Sequence, residues 1–401
     1  MTTSSNATGL HAVVDWPVRA AALAEELAAV GKLASAAWRA AVESVPRHMF
    51  VPSFYVRRDG RMVAVTAADP ATRTEWSEQV YANTALVTKI GQDEAGGPPM
   101  FLSSSSTPGL MTRMLEALDV RDGARVLEIG TGTGYHAALL CHRLGDEQVF
   151  SVDVEPDLVD TARARLAELG YRPTLVAGDG AAGLVAHAPF DRVIATCSVP
   201  AIPLPWVEQT RSGGVILADV RVGLAAGNLV RLTRTAPDRA EGMFDAGQAA
   251  FMELRHAPGA GERMSYARRS DDLPVTRSVT TLDPRTPWSN PVVWFLTALR
   301  IGGHYRLGYA GVDSRNGPDA VSITTPDGSR AEITLAVIDG EHIVAESGPV
   351  RLWQHLEHAH RQWEQAGRPS WPRLGLTVTT DHQSVYVDEP GNRLAVLTGR
   401  Q

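Results

Sequence analysis

The stretch Arg125-Val-Leu-Glu-Ile-Gly-Thr-Gly-Thr-Gly-Tyr135 constrains this chain more than any other, because it reads as an apolar strand running straight into a glycine-rich turn. Gly130, Gly132 and Gly134 lack Cβ and tolerate positive φ, so the backbone can reverse sharply here and come close to a ligand. Asp153 ends the next apolar run, where an acidic side chain can grip ribose hydroxyls. The combination predicts an α/β fold with a nucleotide-type cofactor site, and therefore an enzyme.

The spelling alone leaves the cofactor open. Gly132-Thr-Gly134-Tyr-His-Ala137 also satisfies the dinucleotide pattern G-x-G-x-x-A. Downstream order narrows the choice. A helix is expected over Pro156–Leu169, closed by Gly170. A strand over Thr174–Ala177 then ends in Gly178-Asp179-Gly180, where Asp179 can accept a hydrogen bond from an adenine amino group. Phe190–Thr196 reads as a fourth strand and Ser198–Pro205 as a loop over the site. That order suits an S-adenosylmethionine-dependent methyltransferase better than a hydride-transfer enzyme. The plain alternative is an α/β crossover whose glycines serve packing.

Size and charge bound the rest. At 401 residues with 44% hydrophobic content, the chain exceeds the usual ~100–200 residues per domain, so more than one domain is expected. A net charge of −7 without a basic cluster argues against nucleic acid, whose affinity a Lys/Arg-rich face would supply, and gives no reason to expect a membrane surface. The start, Met1-Thr-Thr-Ser-Ser-Asn6, lacks the basic and apolar segments of a secretory signal, and no run approaches ~18 apolar residues. A cytoplasmic location is expected. Cys141 and Cys197 are the two cysteines, which suits a reducing compartment; Cys197 lies near the expected site but reads as a small buried side chain rather than a nucleophile.

Along the chain, Asp15 to Glu43 is Ala-rich and helical, with Asp15 a cap ahead of Pro17 and Gly31 dividing two helices. Val45-Pro-Arg-His-Met-Phe-Val-Pro52 ends it. Ser53–Met100 reads as irregular, with Gly96-Gly-Pro-Pro99 marking a loop, and Thr233–Gly247 reads as a linker. Strand and helix signals alternate from Arg125 to Leu232, implying a parallel sheet covered by helices. The expected division is residues 1–100 as N-terminal helices and substrate-side segment, 101–235 as a Rossmann-like cofactor core, and 245–401 as a C-terminal α+β domain with a possible role in peptide binding.

Val45–Pro52, Thr107-Pro-Gly-Leu-Met-Thr-Arg-Met-Leu115, Val126–Tyr135, Gly178-Asp-Gly180 and Val199-Pro-Ala-Ile-Pro203 occur in the order and spacing of the protein-L-isoaspartate O-methyltransferase family, which residues 20–220 resemble. The resemblance implies a class I methyltransferase with a seven-stranded sheet, bound S-adenosylmethionine, and methylation of a peptide carboxylate. The substrate loop departs from it. Where the family reads Thr-Ile-Ser-Ala-Pro-His or Thr-Ile-Ser-Gln-Pro-Tyr, this chain has Ser103-Ser-Ser-Ser-Thr-Pro-Gly-Leu110. Ser106 falls on the family's serine, Thr107 replaces Ala or Gln, and Gly109 replaces His or Tyr. A serine run alone reads as a flexible linker, yet this one leads directly into the helix expected over Pro108–Leu118.

The extension beyond Leu232 is the second departure. It carries Thr286–Phe295, Pro326–Ser329, Glu346–Trp353 and Trp363–Pro369. It resembles methyltransferases of ribosomally made, modified peptides, including lanthipeptide and ATP-grasp (graspetide) pathways. That resemblance implies a precursor-peptide partner (modified core peptide, with or without its leader) and an ordinary Asp, often after macrocyclisation, as acceptor.

A carboxylate with a pKa of about 4 is ionised at neutral pH and needs no general base to attack a sulfonium methyl. Alignment and exclusion of water are then the enzyme's task. Ser105, Ser106 and Thr107 are the expected catalytic hydroxyls, since they can hold one carboxylate oxygen without quenching the other. Ser104, Val199, Tyr81 and Asn83 are expected around the substrate. Glu128 is expected at the cofactor's amino-acid end, Asp153 and Val154 at the ribose, Asp179 and Gly180 at the adenine, with Gly130, Gly132, Gly134 and Thr196 lining the turn. The aspartyl methyl ester would close to aspartimide and open to isoaspartate. Two other functions remain open: isoaspartate repair with an added domain, and a peptide-binding protein that has lost chemistry. His355, His358 and His360 read as a solvated helix face rather than a metal site, the C-terminal tryptophans as core ahead of a peptide groove, and His136 as a packing residue.

Overall fold

A computed structural model describes residues 15–91, 100–259, 274–302, 304–311 and 317–397. The terminal Met1–Asn6 and the turn expected at Gly96–Pro99 lie outside the described residues. The chain forms two compact units: Met1–Cys197 with Glu208–Leu217 and Leu254–Gly261, and Ser198–Val207 with Ala218–Glu253 and Glu262–Gln401. They interleave along the sequence, where contiguous domains cut near 100 and between 235 and 245 were expected.

In the first unit, helix α1 (Trp16–Ala29) buries Ala20, Leu23, Ala24 and Leu27, one face at i, i+3, i+4, i+7 spacing. Asp15 occupies its N-cap without a side-chain bond, so Pro17 in the first turn is the operative start signal. Gly31 at φ 70° ends it. Ser35 caps α2 (Ala36–Ser44) by accepting from Trp38 N.

Residues 53–105 correct the irregular reading of this region. Strands β1 (Ser53–Arg58), β2 (Arg61–Thr66), β3 (Leu86–Gly91) and β4 (Met100–Ser105) form an antiparallel sheet in the order β2-β1-β3-β4. Asp59 and Gly60 both hold positive φ between paired Arg58 and Arg61, as a two-residue hairpin turn of the I′ kind requires. The alternation was weak because most positions on these strands are half-buried. The serine run therefore ends a strand, and α3 (Pro108–Leu118) follows at once.

The cofactor-type half matches its sequence reading closely. Strand β5 (Val126–Ile129), α4 (Tyr135–Leu144), β6 (Val149–Asp153), α5 (Pro156–Glu168), β7 (Thr174–Ala177), β8 (Phe190–Val199) and β9 (Thr210–Arg221) follow in turn. β5 pairs in parallel with β6 on one side and β8 on the other, and β6 with β7. Strand order therefore reverses at β5, and the crevice outside the carboxyl ends of strands at such a point is where open α/β sheets bind ligands. Every residue of β5 and β6 is buried, as expected for strands covered on both faces.

In the second unit, β10 (Gly227–Ala236) and β11 (Arg239–Phe244) pair as a hairpin across much of Thr233–Gly247, which corrects the expected linker. Strands β12 (Thr276–Thr280), β13 (Arg306–Ala310), β14 (Ala320–Thr324), β15 (Arg330–Thr334) and β16 (His342–Ser347) form a five-stranded antiparallel sheet, order β12-β16-β15-β14-β13. β17 (Leu374–Val378), β18 (Gln383–Val387) and β19 (Arg393–Leu397) pair antiparallel in sequence, with β17 also against β11. Helices α6 (Pro291–Ile301) and α7 (Leu352–Gln365) supply the core with Trp294, Phe295, Trp353 and Leu356. Trp371 packs on Phe244 and Phe295. Trp288 is the contrast: it is 42% exposed and stacks flat on Tyr309. No helix among the described residues is long and apolar enough to cross a membrane.

Candidate functional site

The glycine turn is held by short polar bonds rather than by its own sequence alone. Gly130 N donates to Val152 O at 2.8 Å and Gly134 N to Thr131 O at 2.9 Å, with φ of 95°, 52° and 87° at Gly130, Gly132 and Gly134. Thr196 on β8 donates its hydroxyl to Gly130 O at 2.8 Å and to Ile129 O at 3.1 Å, and a Cβ on Gly130 would lie 2.6 Å from its oxygen. Gly134 is tight for a different reason, since its Cβ would fall 2.9 Å from Ala162 Cβ on α5. Gly132 alone faces room: a Cβ there would stand 3.6 Å from Ser103 Oγ and 3.8 Å from Ser104 O. The turn and the serine strand thus face each other at Gly132, where a Cβ would make only ordinary contact.

Beneath the turn runs a buried polar chain. Thr131 Oγ1 meets Ser151 Oγ at 2.7 Å, Ser151 donates to Glu128 Oε2, and Glu128 Oε1 meets His136 Nδ1 at 2.6 Å. Glu128 is 0% exposed. Expected at the cofactor's amino-acid end, Glu128 is found with both oxygens engaged inside. It ties β5 to β6 and to the first turn of α4, and so fixes the turn's shape. His136, expected to pack or cap, is part of this chain, and its Nε2 is buried without a hydrogen-bond partner among the described residues.

Asp153 closes β6 as expected, its Oδ2 accepting from Gly132 N at 2.8 Å and its Oδ1 from Glu155 N at 3.0 Å. Burial raises its pKa, and the two N–H bonds oppose that rise. Each oxygen keeps a lone pair toward the strand end. Val154 beside it is half-buried. Asp179 accepts from Ala181 N at 2.9 Å and meets His256 Nδ1 at 2.9 Å through its other oxygen. Gly180 is packed so closely that a Cβ would lie 2.6 Å from Ile129 Cγ2. Cys197, its Sγ 3.9 Å from Ile129 O, is half-buried on β8.

The serine strand divides by its pleat. Ser103 and Ser105 face inward and are buried, while Ser104 on the opposite face and Ser106 and Thr107 beyond the strand are half-buried. Ser103 accepts from Thr88 Oγ1 at 3.2 Å. Ser105 Oγ accepts from Arg47 Nη2 at 3.1 Å, so its hydroxyl acts as an anchor, and its own proton remains to be donated. The hydroxyls of Ser106 and Thr107 make no hydrogen bond among the described residues, although Thr107 stands at the N-cap of α3. They are therefore unspent donors at a helix N-terminus, whose dipole favours a carboxylate. The helix's first N–H groups are already used: Gly109 N donates to Asn83 Oδ1 at 2.8 Å and Leu110 N to Thr107 O at 3.0 Å.

Asn83 thus lies beside the serine segment, bound to its backbone. A Cβ on Gly109 would come within 2.8 Å of Lys32 Cδ and 2.9 Å of Asn83 Oδ1, so the residue that replaces the family's ring is held to glycine by packing. Tyr81 differs from its expected role. It is 7% exposed with its hydroxyl 2.8 Å from His48 Nδ1, and burial drives its pKa well up, so it is a core group of this wall. Val199 is 1% exposed and belongs to the second unit.

Arg47 was missed by sequence reasoning, although it stands in the quoted Val45–Pro52 segment. It is fully buried and donates to Val80 O, Ala82 O, Thr84 O and Ser106 O at 3.0–3.3 Å as well as to Ser105. No carboxylate pairs with it among the described residues. Burial pushes its pKa down to about 10.

The three pieces expected of a methyltransferase cofactor site, namely a cradle at Gly132, a carboxylate at Asp153 and another at Asp179, therefore lie along the carboxyl edge of β5, β6 and β7. The residues fit S-adenosylmethionine, the cofactor of class I methyltransferases, and the fold is of that class with an additional β-rich C-terminal region. Residues 62–242 match the family model described as protein-L-isoaspartate(D-aspartate) O-methyltransferase. A protein-L-isoaspartate O-methyltransferase 1 of Archaeoglobus fulgidus is 36% identical over 182 residues, covering 45% of this chain and 69% of that one. The Xanthobacter autotrophicus enzyme of the same name is 36% identical over 200 residues, covering 50% and 76%. A solved structure titled protein-L-isoaspartate O-methyltransferase aligns over 92% of this chain and 99% of its own at 20% identity, with a TM-score of 0.48. With more than two thirds of such relatives matched at over 30% identity, this chain belongs to the protein-L-isoaspartate(D-aspartate) O-methyltransferase family.

Proposed function

We propose that this enzyme methylates the side-chain carboxylate of an Asp in a ribosomally made precursor peptide, macrocyclised before it arrives, and thereby starts its conversion to aspartimide and isoaspartate. The observation that carries this is the approach of the glycine turn to the serine strand, where a Cβ on Gly132 would stand 3.6 Å from Ser103 Oγ, with the unspent hydroxyls of Ser106 and Thr107 following on the same segment. S-adenosylmethionine, when bound, supplies an electrophilic methyl group on a sulfonium. Asp153 and Asp179 hold its ribose and adenine ends, while Glu128 acts one layer deeper by stiffening the turn. Ser106 and Thr107 donate to one acceptor oxygen and leave the other free to attack. The acceptor oxygen forms its bond to the methyl carbon as the carbon–sulfur bond breaks with its electron pair on sulfur, and no proton moves. Positioning and dryness are the whole of the catalysis required.

The product ester is a better electrophile than the carboxylate. The next residue's backbone nitrogen then attacks it, methanol leaves, and a succinimide results that water opens to aspartate or isoaspartate. The second reading, repair of isoaspartyl residues, is favoured by the names of the relatives, which are isoaspartate methyltransferases. What favours tailoring is the rebuilt acceptor side: Ser104 and Ser105 where the family has Thr and Ile, Thr107 in place of Ala or Gln, and glycine at 109 in place of a ring.

Mass spectrometry separates the two. Matched peptides bearing Asp or isoaspartate, linear and macrocyclised, are incubated with enzyme and S-adenosylmethionine. A gain of 14 Da followed by a species 18 Da below the starting mass, confined to the macrocyclised Asp peptide, supports tailoring. Methylation confined to isoaspartyl peptides assigns repair.

A further inference from the structure

Residues Leu254–Gly259 lie outside the family match and about a hundred positions beyond the strands they touch, yet they belong to the first compact unit. Three consecutive side chains reach the carboxyl edge of the parallel strands: Leu254 and His256 the turn after β7, and Arg255 the turn after β6. Leu254 Cδ1 lies 3.2 Å from the point where a Cβ on Gly180 would stand, just after β7. Arg255 pairs with Glu155, two residues beyond Asp153, and donates to Leu102 O on β4 at 2.9 Å. His256 Nδ1 meets Asp179 at 2.9 Å. Gly259 N returns to Glu155 Oε1 at 2.7 Å.

We propose that Leu254–Gly259 is a strap across the cofactor site, supplying a wall that the family core lacks, and that Glu155 is the latch that holds it. The strap runs from Glu155, two residues beyond the ribose carboxylate, to the adenine carboxylate, so it borders the ligand on both marks. This rests on S-adenosylmethionine binding along that edge. Glu155 is built to be a latch: a buried carboxylate gathers Arg255, the Gly259 N–H and Lys89 Nζ at 3.0 Å. Burial pushes its pKa up, but those donors outweigh it and hold it at about 2, so it is charged at neutral pH. Lys89 has a second carboxylate in Asp157 at 2.7 Å, so loss of Glu155 leaves no orphaned cation there. His256, between the two points held by Glu155, is 68% exposed. The strap can therefore lift once Glu155 releases Arg255 and the Gly259 N–H, and cofactor exchange requires that parting.

The test is the rate at which S-adenosylhomocysteine leaves the full chain, followed by displacement with excess S-adenosylmethionine. Arg255→Gln and Glu155→Gln are expected to release it at least tenfold faster with a matching rise in Kd, while Arg255→Lys stays within threefold of the parent. Hydrogen–deuterium exchange on the unaltered protein gives a measure free of folding defects: amides of 254–259 should gain protection on adding S-adenosylhomocysteine. Parental release rates in both glutamine variants, or unchanged protection over 254–259 while 130–134 gains it, would overturn the strap. No binding by the unaltered protein would instead sink the cofactor site itself.

Discussion

Arg47→Met tests whether one buried cation assembles the acceptor side. Arg47 donates to five acceptors, and at the low end of ~1.5 kcal/mol per charge-assisted bond these sum to ~7 kcal/mol. Against this stands the cost of burying the charge. Its pKa falls from 12.5 to about 10, and at ~1.36 kcal/mol per pKa unit that is ~3 kcal/mol which methionine would recover. The net loss expected is therefore about 4 kcal/mol, or on the order of 8–16 °C in Tm for a unit of roughly 200 residues. Thermal and urea denaturation read the first effect. The second is functional: Val80, Ala82 and Thr84 carbonyls and the Ser105–Ser106 segment lose their common anchor, so KM for the acceptor peptide should rise at least tenfold. Cofactor affinity should change far less, because none of the five acceptors of Arg47 belongs to the glycine turn. Arg47→Lys, which keeps a charge but has three donors in place of five, should fall between the two. A Tm within 2 °C of the parent, or equal losses in cofactor and acceptor binding, would refute this account.

Two further outcomes follow from the glycine turn and the latch. Gly132→Ala should weaken S-adenosylhomocysteine binding at least tenfold for a stability loss of about 1–2 kcal/mol, because its Cβ meets Ser103 Oγ at an ordinary 3.6 Å and the strain is that of φ 52° alone. Gly134→Ala, meeting Ala162 at 2.9 Å, should cost about 3 kcal/mol in urea titration; the reverse ranking would mean the two glycines have been misassigned. Glu155 carries a folded pKa of about 2 against an ordinary 4.5, so its contribution to stability is complete above pH 4.5 and is lost as pH falls toward 2. Denaturation midpoints recorded across that window should slope downward in the parent and be flatter in Glu155→Gln; parallel curves would remove Glu155 from the account.

What could be read in the sequence was local. The turn at Gly130–Gly134, the helix from Pro156 and the short strand before Asp179 depend on spacing over a few residues, and each lies where its pattern put it. The antiparallel sheet of β1–β4 escaped because its faces are half-covered and alternate weakly, although Asp59-Gly60 was a usable hairpin signal. Direction within a fully buried strand is also illegible: nothing in Val126–Ile129 says that Glu128 turns away from the ligand edge toward Ser151 and His136. Arg47 and Arg255 were invisible for another reason. Their partners lie 33 to 59 and 100 to 153 positions away, beyond any periodicity.

Gly109 limits what can replace it. With Lys32 and Asn83 packed into the space that a side chain would fill, restoring His or Tyr there in one step would collide with both and break the Asn83–Gly109 bond. A larger residue at 109 thus requires Lys32 and Asn83 to move aside together. A reversal experiment should therefore carry Asn83 and Lys32 to smaller residues along with Gly109→Tyr, and the triple change should be tolerated where the single one is not.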